Sequence, residues 1–327
     1  MYSLLLVCVI IVLALCFDYV NGFHDTANAI ATSVSTKALS PRAAIIVAAS
    51  LNCLGALSGT AVAATIGKGI IGVNPVSPYV LIAALFAAVF WNLFTWYFGI
   101  PSSSTHALIG GLVGAIIVAY GTGMVKWDGF ISIFAGLIAT PLVGLVAGSL
   151  IMTLLFWLFK NASPARTNSR FRKLQILSAC MASFAHGSND AQKTMGIITL
   201  ALFSGGFIDT FTVHLWVKLI CAAAMAAGTA MGGWKIIRTM GGKIFRIEPI
   251  NGFAADFTSA MVIYGGSLLG IPVSTTHVVS SSIMGVGAAK RLKGVRWNIA
   301  RSIIVVTIPS AALVAMIVYK IMQVFIL

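Results

Sequence analysis

Unbroken apolar runs cover residues 4–17, 43–66, 80–98, 130–159, 213–234 and 303–327. Each approaches or exceeds the ~20 residues that a helix needs to cross the hydrocarbon core of a bilayer. The runs are continuous and do not alternate, which excludes a transmembrane barrel. A soluble globule is excluded by charge: only 9% of the 327 residues are charged, against roughly 25% in an ordinary soluble domain. The pattern predicts an all-α polytopic membrane protein. The first run, MYSLLLVCVIIVLALCF, lacks the basic n-region of a signal peptide and reads as the first membrane helix. Cys8, Cys16, Cys53, Cys180 and Cys221 lie inside apolar runs without metal-like spacing and read as small buried hydrophobes.

The sequence is duplicated. Gly22-Phe23-His24-Asp25-Thr26-Ala27-Asn28 is matched by Gly187-Ser188-Asn189-Asp190-Ala191-Gln192-Lys193. Gly59-Thr60-Ala61 recurs as Gly228-Thr229-Ala230, and Pro101-Ser102-Ser103-Ser104-Thr105-His106 as Pro272-Val273-Ser274-Thr275-Thr276-His277. Three pairs in one order at a nearly constant offset make two repeats. The reading is a membrane repeat over 1–159, a short basic linker over 160–173, and a second membrane repeat over 174–327.

Basic residues outnumber acidic ones, 21 to 7. They sit in the links between apolar runs, so they set orientation and do not signal nucleic acid. With the 160–173 linker on the cytoplasmic side, Lys37, Arg42, Lys235, Arg238, Lys243, Arg246, Lys290, Arg291, Lys293 and Arg296 all fall on that side too. Both termini then lie outside. Each repeat has about five membrane segments, counting its Pro-broken excursion as two. The count is odd, so the repeats insert in opposite senses, an architecture typical of secondary transporters. Whether PSSSTH and PVSTTH join full spans or re-entrant hairpins is left open.

Ionisable groups inside a membrane are costly and usually functional. Asp25 and Asp190 each follow a glycine and polar residues that make poor helix interior, so a discontinuous helix is predicted at both signatures. A carboxylate at such a break can hold a cation or a proton, or merely cap a half-helix. The hydroxyls of Ser103, Ser104, Thr105, Ser274, Thr275 and Thr276, with the amides freed by the prolines, suit a tetrahedral oxyanion that must be bound and released. His106 and His277 can donate, accept and titrate. Asn52 and Asp256 are further polar groups in apolar surroundings. Lys193 stands three residues after Asp190, able to pair with it or to attract an anion. His24 and His186 near the acids show no HExxH-type spacing, so no resident metal or other cofactor is expected. Two carboxylates and an oxyanion repel strongly at low dielectric. Cations or protons must therefore enter with the anion, and that need couples their movements.

These motifs resemble those of the PiT family of inorganic phosphate transporters. GFHDTANA at 22–29 and GSNDAQKT at 187–194, with PSSSTH and PVSTTH downstream, carry the resemblance over essentially the whole chain. It implies import of inorganic phosphate with Na⁺ or H⁺ through an inverted repeat in the cell membrane, by alternating access at the repeat interface. By position, it implies a phosphate site lined by Asn28, Gln192, Lys193 and the six hydroxyl residues. It implies cation or proton coupling through Asp25, Asp190, Asn21, Asn189, Asn52, Asp256, His106 and His277. His24 and Lys193 depart from the Asn-Asp-x-x-Asn of many relatives and resemble the bacterial branch, where proton coupling and carriage of a metal–phosphate complex occur. A homodimer is a further expectation. The competing readings are a carrier for sulfate or metal–phosphate, an intramembrane hydrolase, which lacks a nucleophile–base spacing here, and a channel, which would not accumulate its solute. An enzyme is not expected.

Overall fold

The computed structural model describes residues 2–72, 75–242, 244, 247–296 and 307–325. Lys243 and Arg246 lie outside the described residues.

The first repeat contributes α1 (Leu4–Ser35), α2 (Pro41–Ala56), α3 (Ala61–Gly69), α4 (Pro78–Phe98), α5 (Ser104–Tyr120) and α6 (Trp127–Leu158). The second contributes α7 (Pro164–Ser204), α8 (Leu215–Met231), α9 (Trp234–Gly242), α10 (Pro249–Leu268), α11 (Thr275–Lys290) and α12 (Thr307–Phe325). The order is the same in both, down to a 3-10 turn after α5 and after α11. The pairs α2–α3 and α8–α9 bend by 67° and 73° at short breaks, and each pair is apolar enough in sum to make one span. Among the described residues, four helices are long and apolar enough to cross a membrane, or six if each of these pairs makes one span. Among the described residues the fold is thus an all-α polytopic membrane fold of two repeats. Beside a buried apolar core, many large apolar side chains face outward, as Leu142, Val146, Leu150 and Leu154 do on α6. Its acids Asp25 and Asp190 face inward. The distribution is that of a protein solvated by lipid.

Local chemistry sets the boundaries. Proline opens α2, α4, α7 and α10, where a missing N–H costs nothing. Gly99 (φ 65°) and Gly270 (φ 69°) follow α4 and α10 in the left-handed region, and a proline stands two residues beyond each. The glycine ends the helix and the proline prevents its resumption. The chain then runs extended for a few residues before Ser103 and Ser274 cap α5 and α11, each accepting from the backbone N–H three residues on. The excursions are therefore helix–break–helix hairpins. Their tips meet: the Ser274 hydroxyl donates to the Ser103 Oγ at 2.8 Å, and the His106 and His277 rings lie 4.5 Å apart.

The signatures are not helix breaks. Both α1 and α7 run unbroken through them, which corrects the expected discontinuity. The glycines serve contact instead. A Cβ on Gly22 would lie 2.5 Å from the Met225 carbonyl oxygen, and one on Gly187 would lie 2.1 Å from that of Asn52. Helix α1 thereby packs on α8, and α7 on α2. This close approach offsets the roughly 1 kcal/mol that glycine costs within a helix. The same contact shows that Gly228, set against Tyr19, is the counterpart of Gly55, set against Phe184, so the Gly59-Thr60-Ala61 match is out of register. The repeats interlock further. Helix α6 packs on α10 and α11, and α12 on α4 and α5.

The stretch 160–173 is not an irregular connection throughout. Helix α7 already starts at Pro164, and Phe171 packs edge-on against Phe159 and Phe253. Its bases Arg166, Arg170, Arg172 and Lys173 are exposed on the first turns of that helix.

Candidate functional site

Helices α1 and α7 carry the two signatures past the hairpin tips, and this crossing collects the polar residues. Asp25 and Asp190 are both buried. One oxygen of each, with a ring nitrogen of His186, lie within 4.8 Å of one another, near enough to share one cation. Two bare carboxylates at that spacing repel by roughly 3–4 kcal/mol at an effective dielectric of about 20. The surroundings offset this repulsion with donors. Ser104 and Thr276 donate to Asp25 at 3.3 Å each, and His24 Nδ1 lies 2.7 Å from it. Thr275 donates to Asp190 at 3.2 Å, Asn21 at 3.4 Å and the Lys193 ammonium at 2.5 Å. His186 Nε2 lies 3.3 Å from the same carboxylate.

The cross-repeat logic is regular. Position 28 of the first signature reaches the second hairpin, where the Asn28 amide donates to Thr276 at 3.0 Å and Thr275 at 3.4 Å. Its counterpart Lys193 reaches the first hairpin, donating to the Thr105 hydroxyl, and also to the Val273 carbonyl at 3.2 Å. The residue before each acid braces its own hairpin. His24 Nε2 lies 3.2 Å from Thr95 Oγ1, while Asn189 donates to Ser267 at 3.1 Å and accepts from the Val273 N–H at 3.2 Å. Each acid is thus gripped by both repeats.

The remaining candidates divide. Asn52 donates to Thr229 at 2.8 Å, and its side-chain oxygen lies 3.1 Å from His186 Nδ1. It joins the Asp190 cluster through that imidazole. Gln192 does not line the cluster. Its side-chain oxygen accepts from the Val62 N–H at 2.9 Å, so it caps α3, whose own Thr60 makes no side-chain cap. Helical periodicity turns position 192 about 200° away from Asp190. Ser103 and Ser274 are likewise engaged as caps and with each other, leaving Ser104, Thr105, Thr275 and Thr276 as the hydroxyls of the carboxylate cluster. His106 hydrogen-bonds Ser103 at 2.7 Å. With His277 it lines a separate cavity bounded by Phe134, Leu137, Pro141 and Pro309, on the side of the hairpins facing α6 and α12. Asp256 sits apart, accepting from Thr32 at 2.6 Å.

Three polar groups are not among the site residues expected from sequence: His24, His186, whose ring lies 3.3 Å from Asp190, and Asp18. In the sequence His24 and His186 read only as metal ligands without HExxH-type spacing, and His24 also as a departure from a motif, yet His24 Nδ1 lies 2.7 Å from Asp25. Asp18 stands alone in the apolar run before the first signature and is completely buried. An ionisable residue in such a run was the signal available.

The arrangement can bind an anion and cations together. Hydroxyl, amide and ammonium donors surround two acids, and each donor can turn from a carboxylate to an incoming oxyanion once a cation takes its place.

Comparison with known proteins bears on the family and the fold. A model described as the phosphate transporter family matches residues 21–168 and again 158–315, one copy for each repeat. A probable low-affinity inorganic phosphate transporter of Bacillus subtilis is 50% identical over 331 residues, with 98% of each chain covered. One of Rhizobium meliloti is 47% identical over 315 residues, covering 95% of this chain and 94% of its own. A solved structure named the sodium-dependent phosphate transporter superposes with a TM-score of 0.89 at 26% identity, covering 99% of this chain and all of its own.

Proposed function

The chain belongs to the phosphate transporter family, and we propose that it is a secondary carrier that imports inorganic phosphate together with Na⁺ or H⁺. It is a transporter and not an enzyme. The observation that carries the coupling is the convergence of Asp25 and Asp190, gripped by donors from both hairpins.

The mechanism follows from hydrogen-bond exchange. In the closed arrangement, Ser104, Thr275 and Thr276 donate to carboxylates and Lys193 pairs with Asp190. These are the groups best suited to phosphate oxygens. For them to turn, the acids need another partner, which is the coupling cation or a proton. Phosphate and cation therefore load together, because either alone leaves a buried charge uncompensated at a cost of several kcal/mol. Asn28 and Lys193 each hold the opposite repeat's hairpin, so loading also changes the contacts across the repeat interface. Rocking of one repeat against the other then exposes the site to each side in turn. Hydrogen phosphate, unlike sulfate at neutral pH, retains a donor for a carboxylate such as Asp25, which favours phosphate over sulfate. We assign the exposed bases of 160–173 to the cytoplasm and both termini to the outside of the cell membrane.

The test is uptake of labelled phosphate into proteoliposomes under a Na⁺ gradient and a H⁺ gradient imposed separately, with sulfate as competitor. Concentrative uptake under one gradient, resistant to sulfate, is expected. Equilibration without accumulation under either gradient would refute coupled transport.

A further inference from the structure

Asp18 lies on α1, two helical turns before Asp25. It is completely buried, and neither of its carboxylate oxygens accepts a hydrogen bond. Three residues on, where a helix presents the same face, the buried Asn21 also has a side-chain oxygen without a donor. Thr194, on α7 one turn past Asp190, faces Asp18, and its buried hydroxyl has no hydrogen-bond partner within 3.5 Å. Four buried oxygens from three side chains on two packed helices thus lack compensation. The charged and titratable groups facing Asp18 are Asp190 and Lys193 on α7 and the Cys221 thiol on α8. Of these only Lys193 is positive, and it is already engaged by Asp190, Thr105 and Val273.

A buried carboxylate in this position cannot stay bare, since an unpaired ion costs several kcal/mol. It takes a proton or a hard monovalent cation, and an all-oxygen set suits either. The charge count of the two repeats points the same way. The first signature has one acid and a neutral Asn28. In the second, Lys193 neutralises Asp190, and Asp18 restores one uncompensated negative charge beside that pair. At the matching place in α7 stands Ser183, whose hydroxyl is satisfied by Ala179 O at 2.8 Å, so the extra acid occurs only where the extra lysine faces it.

We propose that Asp18, with the side-chain oxygens of Asn21 and Thr194, forms a second coupling-cation site, for a proton or Na⁺, adjoining the Asp25–Asp190 cluster through the Asn21 amide, which donates to Asp190 at 3.4 Å. This rests on the carrier reading above. With Asp18 unloaded, its charge competes with Asp190 for Lys193 and keeps the ammonium from phosphate. With Asp18 loaded, the ammonium answers to Asp190 and phosphate alone.

The experiment uses the full chain in proteoliposomes. The wild type must first accumulate labelled phosphate; failure there indicts the carrier reading and not Asp18. The number of cations moved per phosphate is then measured from the gradient that just reverses net flux. With Asp18→Asn it is expected to fall by one, while phosphate–phosphate exchange persists. Repeating the series with Na⁺ at fixed pH and with a pH gradient free of Na⁺ tells which cation the site holds. Thr194→Val, nearly isosteric, is expected to raise the cation concentration for half-maximal uptake about tenfold, equivalent to about 1.4 kcal/mol. Wild-type stoichiometry in Asp18→Asn would overturn the proposal. If that variant does not fold, unchanged cation dependence in both Thr194→Val and Asp18→Glu overturns it equally.

Discussion

The two signatures occupy equivalent places and do unequal work. Asp190 has a fixed cation in Lys193 at 2.5 Å, and an imidazole and an amide beside it. Among the described residues, Asp25 has no lysine or arginine partner: two hydroxyls donate to it, the His24 ring lies at 2.7 Å, and it shares the His186 ring with Asp190 within 4.8 Å. In the first signature the position of Lys193 is taken by Asn28, which makes the same reach to the opposite hairpin without charge. Duplication preserved the geometry and let the charges diverge. The Asp190 side is held together from within, while in the proposed mechanism the Asp25 side is the one completed by the transported ion.

The largest expected effect breaks the internally held side. Lys193→Met leaves Asp190 buried without its cation, and removing one partner of a buried pair costs about 3–5 kcal/mol. Thermal unfolding in detergent should drop accordingly, and adding Asp190→Asn should restore most of the loss without restoring transport. Recovery of both would mean that the pair is structural. Asn28→Met, at the equivalent place, should be far milder in stability.

Next comes the other acid. Asp25→Asn should leave the fold intact, because a neutral amide tolerates the same hydroxyl neighbours. It should reduce gradient-driven uptake about 100-fold or more, in line with the about 2–5 kcal/mol carried by a buried charged partner. Uptake within a few-fold of wild type would move the cation away from Asp25 and erase the contrast between the sides.

A third experiment asks whether the repeats are mechanically alike where they are chemically different. Gly22 and Gly187 make the same helix contact, against Met225 and Asn52. Gly22→Ala and Gly187→Ala should each destabilise by about 1–3 kcal/mol, the usual cost of overpacking. Unequal losses would show that the α1–α8 and α7–α2 contacts bear different loads.

The duplication, the proline-broken hairpins and the paired acids were legible because each rests on residue types with few other uses. A proline two residues past a glycine stops a helix wherever it occurs. The course of the signatures was not legible. Asn21-Gly22 and Gly187-Ser188-Asn189 read as turns on local propensity, but a glycine seated on another helix's carbonyl favours continuity, and the partner that supplies that carbonyl is remote in sequence. Ser103 and Ser274 illustrate a second limit. Adjacent hydroxyls look interchangeable in sequence, and only the helix start decides which one caps and which faces the acids. Asp18 was obscured by the duplication itself. A search for matched pairs passes over an acid whose counterpart is Ser183.

The smallest effect concerns a residue that belongs to the signature by sequence and to the scaffold by geometry. Gln192 sits two positions after Asp190, yet its side chain caps α3 through the Val62 N–H and donates to the Ser188 carbonyl at 2.6 Å. The first signature has Ala27 at that place, so the bend between α8 and α9 does without such a cap. Gln192→Ala should therefore lose two side-chain hydrogen bonds, of which the cap on the Val62 N–H is worth about 1 kcal/mol, and loosen the α2–α3 bend. Phosphate affinity should stay unchanged, because the amide makes no contact with either acid. The comparison to make is the apparent KM of uptake beside the unfolding temperature. A lowered unfolding temperature at constant KM assigns Gln192 to the scaffold. A raised KM at unchanged stability would return it to the binding site and mean that α7 turns about its axis when phosphate loads, carrying position 192 into the cluster.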